Sequence, residues 1–233
     1  MSNLPQKNGP QLGRLMVLAL LVGPLAAPVY AAGATAVPSL TVQRLNSSSQ
    51  ALNRFQTTHS LNDLQAAVAS MDGTIDITQL TPGNFIATRR MLVQGWAQVL
   101  KAIEQSYDPT YDPKDRNQQP SDCVVPPVEP SGRRAHTCGN PNDVLDPGTR
   151  AAYIDAIQQN QEKIRRSSHY ITVHLLDERA MTTLSMALDL LRSLAPEGAG
   201  ADFPALDNIL QRARISEARR SEIDAMFYAR PGP

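Results

Sequence analysis

The sequence predicts an all-α protein: an irregular helical bundle of four to six helices with one long Pro-rich, disulfide-stapled loop. Three observations carry that expectation. Apolar residues recur at three- and four-residue spacing through most of residues 39–228. Two X-Pro pairs with a capping side chain, Thr81-Pro82 and Asp146-Pro147, mark helix starts. Eight of the 18 prolines fall between Pro109 and Pro147, and both cysteines, Cys123 and Cys138, fall there too.

The first 31 residues read as an export signal. Lys7 and Arg14 precede the apolar stretch Leu15 to Ala27, and Val29 and Ala31 supply the small residues that a signal peptidase reads before Ala32. The alternative is an uncleaved anchor, because the apolar stretch approaches the ~20 residues that span a bilayer. Gly23-Pro24 and Pro28 interrupt a straight spanning helix. Cleavage near Ala31 would leave a periplasmic or secreted protein whose 22 cations and 22 anions become a net −2. Residues 32–38 are small and read as a flexible mature N-terminus.

The helical domain spans 39–228. Leu40, Val42, Leu45, Ala51, Leu52 and Phe55 form the first stripe, with the polar run Asn46 to Gln50 as a point where it could split. Ser60 with Asp63 signals a second start, and Gly73 ends that helix. Thr74 to Leu80 alternates Ile75 and Ile77 with polar residues and could be a short extended piece. From Thr81-Pro82 a long helix runs to about Ser106, with Phe85, Met91, Leu92, Trp96, Val99, Leu100 and Ile103 on one face. Trp96, the only tryptophan, reads as core.

Residues 107–145 form the Pro-rich loop, in which no helix can continue through the prolines. In an exported protein Cys123 and Cys138 are expected to bond to each other, and the repeated Tyr-Asp-Pro at Tyr107 and Tyr111 is expected to make turns against the bundle. Asp146-Pro147 then starts a helical stretch to Leu194, either kinked near Ser167 or continuous over roughly 72 Å. Its expected core stripes are Tyr153, Ile157, Ile164, Ile171 and Leu175, then Met181, Leu184, Leu188, Leu191 and Leu194. Residues 202–228 read as a C-terminal helical hairpin capped at Asp202 and Ser216, and 229–233 as a frayed tail.

Composition narrows function more than motifs do. Balanced charge and 5% aromatic content argue against a nucleic-acid partner, and the membrane enters only through the export signal if it is not cleaved. No nucleophile elbow, phosphate-cradling glycine pattern or His-Glu-x-x-His occurs, so neither a catalytic residue nor a cofactor is assigned. His169, His174 and Glu178 are weak metal candidates, since His174 and Glu178 are four apart but His169 and His174 do not share a face. The residues that fit recognition are those of the loop: Tyr107, Tyr111, Arg133, Arg134 and His136. The expectation is an exported, non-enzymatic helical protein that binds a protein partner in the cell envelope. A periplasmic small-ligand or metal-binding protein and an enzyme with a dispersed site are the alternatives.

Overall fold

The computed structural model describes residues 36–133, 138–195 and 212–228. The segment expected to be an export signal, Arg134, His136, the first helix expected in the C-terminal hairpin and the tail 229–233 lie outside the described residues. Within them the protein is helical, with no strand: α1 (Ser39–Thr58), α2 (Leu61–Met71), α3 (Pro82–Ser106), α4 (Pro147–Ser193) and α5 (Glu217–Tyr228), plus a single 3-10 turn at Pro141–Asp143.

Helix α1 is continuous, so the polar run does not split it. The reason is local: Ser48 faces α2, where its hydroxyl donates to the Ala67 carbonyl at 3.1 Å. Thr41, also buried, donates to the Thr74 carbonyl at 2.5 Å. A buried hydroxyl with a carbonyl partner is tolerated on a core face. Upstream of α1, the Ala36 carbonyl accepts from the Asn84 side chain at 3.2 Å.

Helix α2 starts where expected but without a side-chain cap from Ser60. Asp63 is instead occupied by Arg54 Nε and the Thr58 hydroxyl, both at 2.9 Å, which tie the end of α1 to the first turn of α2. The left-handed residue between them is His59, at φ 53°. No strand forms over residues 74–80; residues 77–79 make a turn, where Asp76 accepts from the Thr78 amide and hydroxyl and curls the chain.

Thr81 and Asn84 cap each other at the start of α3, with the Asn84 amide donating to Thr81 Oγ1 and the Thr81 amide to Asn84 Oδ1. Trp96, Val99, Leu100 and Ile103 are buried with Leu64, Val68 and Met71 of α2 in one apolar core. Helices α3 and α4 run antiparallel: Phe85 and Leu92 cluster with Leu191, while Tyr107, just past α3, reaches Asp177.

Helix α4 is one unbroken element of 47 residues, with no break at Ser167. Asp146 caps it, accepting from the Thr149 amide at 2.7 Å. Its core face is Val173, Leu176, Ala180, Leu184, Leu188 and Leu191. This corrects the first expected stripe. Tyr153 is buried, but Ile164, Ile171 and Leu175 are exposed, because the N-terminal half of α4 has the irregular segment for a neighbour on one side and no helix among the described residues on the other. At the C-terminus Ser216 caps α5 through the Arg219 amide at 3.3 Å, and Ala213, Ile215 and Ile223 join the core.

Candidate functional site

Residues 107–133 and 138–146 cross the N-terminal half of α4, and their anchoring follows from residue types that favour turns. Three aspartates build side-chain turns two residues ahead of themselves: Asp108 to Thr110, Asp112 to Lys114 and Asp115 to Asn117, at 2.8–2.9 Å from the backbone amides. With prolines at 109 and 113 the chain cannot resume a helix between them. Each Tyr-Asp-Pro unit therefore presents its tyrosine sideways, toward α4.

Tyr170 of α4 receives both. Its ring centroid lies 5.7 Å from Tyr107 and 5.4 Å from Tyr111, and it stacks on His174 at 5.8 Å with 13° between planes. Arg166, one turn earlier, closes the cluster: its guanidinium donates to Asp108 at 2.9 Å and to the Thr110 hydroxyl at 2.8 Å, and lies 5.4 Å from the Tyr111 ring centre. Such cation–π placement adds about 0.5–1 kcal/mol at an exposed site. The Thr110 hydroxyl and amide hold the Asp108 carboxyl below its ordinary range, with Arg166 adding to the effect.

The Tyr107 hydroxyl donates to Asp177 at 3.4 Å, and Asp177 pairs with Arg219 of α5. Burial pushes the Tyr107 phenol well above its usual value, and the Asp177 charge pushes it further. A phenol held protonated is a donor and a packing surface, not a nucleophile. Burial raises Asp177 as well, against the lowering pull of Arg219.

The far half is pinned by four ties. Asn160 clamps Ser121 in both directions, accepting from its amide at 2.7 Å and donating to its carbonyl at 2.8 Å. The buried Tyr153 hydroxyl donates to the Val124 carbonyl at 2.9 Å and accepts from the Gly139 amide at 2.5 Å. Between those contacts Cys123 and Cys138 form a disulfide, with Cα atoms 5.5 Å apart. Glu129 is buried and turns the chain back on itself. One carboxylate oxygen accepts the amides of Leu145 (2.6 Å) and Asp146 (3.1 Å), and the other accepts the Ser131 hydroxyl. The Asp146 amide first, then that of Leu145, keeps its pKa below the usual carboxylate value.

The residues singled out from sequence thus separate. Tyr107 and Tyr111 join one cluster and are half-buried in it; Arg133 is exposed beside an open hollow of about 390 Å³ that Glu129, Ser131 and Asp146 also line. His169 gives its Nε2 to the Ser106 carbonyl at 2.8 Å, while His174 lies 3.3 Å from Glu178 at the surface. Among the described residues no group of three or more His, Cys, Asp or Glu could hold a metal ion. No described helix is long and apolar enough to cross a membrane.

Sequence reading missed Arg166, Tyr170, Asn160 and Glu129. Arg166 follows another arginine, Arg165, which pairs locally with Glu162. The available signal was spacing: Arg166, Tyr170 and His174 lie at i, i+4 and i+8, one ridge of a helix. Also missed was the exposure of Val125, Val128 and Leu145, three large aliphatic residues on the outside of the pinned segment. Comparison with protein families, curated proteins and solved structures finds no match to this chain.

Proposed function

We propose that the chain is an exported, non-enzymatic helical protein whose stapled, proline-rich segment on an irregular bundle docks a protein partner in the cell envelope. The observation that carries this reading is the contrast within residues 121–133 and 138–146. The backbone there is tied down by Asn160, Tyr153, Glu129 and the disulfide, yet Val125, Val128 and Leu145 stay exposed. A loop that existed only to connect α3 and α4 would have no use for aliphatic side chains in water; a pre-ordered loop that presents them loses less conformational entropy when a partner covers them. Arg133 beside the hollow adds a charge at the rim of that apolar surface, as interfaces commonly do.

The test places a photoreactive amino acid at Arg133, which is exposed beside the hollow that Leu145 also lines, and cross-links in cells. The expected result is one saturable adduct, lost in the V125S/V128S/L145S variant while its circular dichroism and melting temperature stay unchanged. An adduct pattern unaffected by those three changes overturns the docking surface. Sequencing the N-terminus of the purified protein checks export separately: processing near Ala31 gives Ala32 as the first residue.

A further inference from the structure

Helix α4 has a second apolar face that neither the core nor the stapled segment uses. Ile154, Ile157, Ile164, Ile171 and Leu175 lie along it; Ile164, Ile171 and Leu175 are 46%, 54% and 59% exposed. Filling the two gaps with Gln161 and Ser168, both exposed, gives a run of alternating three- and four-residue steps from 154 to 175. That is the 3.5-residue period of a coiled-coil seam, sustained for three heptads. In heptad terms Ile154, Gln161, Ser168 and Leu175 occupy a, and Ile157, Ile164 and Ile171 occupy d.

We propose that this face joins two copies of the chain through a parallel, in-register pairing of α4. Two features select a second copy and its direction. Both polar seam residues sit at a, so in register Gln161 meets Gln161 and Ser168 meets Ser168, amide to amide and hydroxyl to hydroxyl; antiparallel pairing would set each against a d isoleucine and leave it unsatisfied. The flanks agree. One carries Arg165 and Arg179, the other Asn160, Ser167 and His174. Parallel helices bring each flank against the opposite one, so arginine meets uncharged side chains or a histidine, whereas antiparallel helices bring the arginine flank against itself. A membrane surface fits less well, because Arg165 is held by Glu162 at 2.5 Å and Arg179 by Asp72 at 2.6 Å.

The surface is distinct from the docking segment, so the two proposals fail separately. Molar mass is measured by light scattering and sedimentation over a hundredfold concentration range, on protein purified from its own compartment. The expected mass is that of two copies, falling to one in I164K/I171K with the circular dichroism unchanged, since both side chains are exposed in the single chain, and with a melting temperature that no longer rises with protein concentration. Direction is read from single added cysteines: S168C and Q161C each give a self-linked dimer on mild oxidation if the pairing is parallel and in register, with the native bond between Cys123 and Cys138 intact by mass. A single-copy mass throughout overturns the proposal, as does a two-copy mass that I164K/I171K leaves unaltered. Self-linking at only one of the two positions overturns the parallel register. Single-copy protein that floats with vesicles containing anionic lipid assigns the face to a membrane instead.

Discussion

The Glu129 carboxylate accepts the backbone amide of Asp146 at 3.1 Å, so the residue that caps α4 is itself held by a buried acid from the middle of the stapled segment. A loop residue thereby fixes the start of the longest helix. Folding of the segment and of α4 are coupled at this point, and the coupling depends on charge.

Acidification should loosen it. Glu129 and Asp146 both ionise more readily in the folded chain than in the unfolded one, each because amides donate to its carboxylate. The stability they contribute is complete above their ordinary values of 4.5 and 3.8 and declines as pH falls through the lower folded values. The melting temperature of the wild-type protein should therefore fall below about pH 4.5. E129Q should melt lower at pH 7 and show a shallower acid slope; an identical slope would remove Glu129 from this role.

The staple and Tyr153 make separable contributions. Replacing both cysteines by serine should cost about 3 kcal/mol through the freed unfolded chain. Y153F should cost roughly 1–3 kcal/mol by a different route, because it leaves the Val124 carbonyl and the Gly139 amide without their hydroxyl partner. Limited proteolysis tells them apart. Y153F should open cleavage near Val124 with the disulfide still holding the fragments together, visible only after reduction.

Much of the helical layout was legible in the sequence because its signals are local. Thr81-Pro82, Asp146-Pro147 and Ser216 each cap the helix they were expected to start. What failed was assigning faces on α4. Tyr153 is buried as expected, whereas Ile164, Ile171 and Leu175 carry the same stripe into solvent, because a seven-residue period does not say what lies against it. The described residues between α3 and α4 send turns and hydroxyl-bonded backbone to one side of α4, and periodicity contains no information about an irregular neighbour. Arg166 shows the same limit: nothing within one helical turn distinguishes it from Arg165, and only the fold brings Asp108 to it.

Gly95 is a position where the core tests its own packing. It lies beside Trp96 on α3, and a Cβ built there meets the Leu45 side chain and comes within 3.2 Å of the buried Met71 methyl. Alanine would gain about 1 kcal/mol of helix propensity, which offsets part of the crowding. G95V has no such offset, since β-branching gives back most of the propensity. It should destabilise by roughly 1–3 kcal/mol through overpacking, measured by urea unfolding with an unchanged slope.

The pair of Asp177 and Arg219, which fastens α5 to α4, should respond unequally to loss of either partner. Burial raises the Asp177 pKa despite Arg219, so the ionised carboxylate is a strained choice at this site. D177N keeps an oxygen that can accept from Arg219 and Tyr107, and Arg219 retains Glu222 at 2.6 Å; its change should stay within about 1 kcal/mol. R219A instead leaves a half-buried acid without its cation and should cost more, on the order of 1–3 kcal/mol at pH 7. The sign with pH distinguishes this from lost packing. A carboxyl whose folded pKa is raised contributes stability below its unfolded value that disappears as pH rises through the folded one. Removing Arg219 widens that window, so the deficit of R219A relative to wild type should shrink as the solution is acidified. A deficit that stays constant from pH 7 to pH 4 would mean that Arg219 acts through its methylene stem, not through its charge.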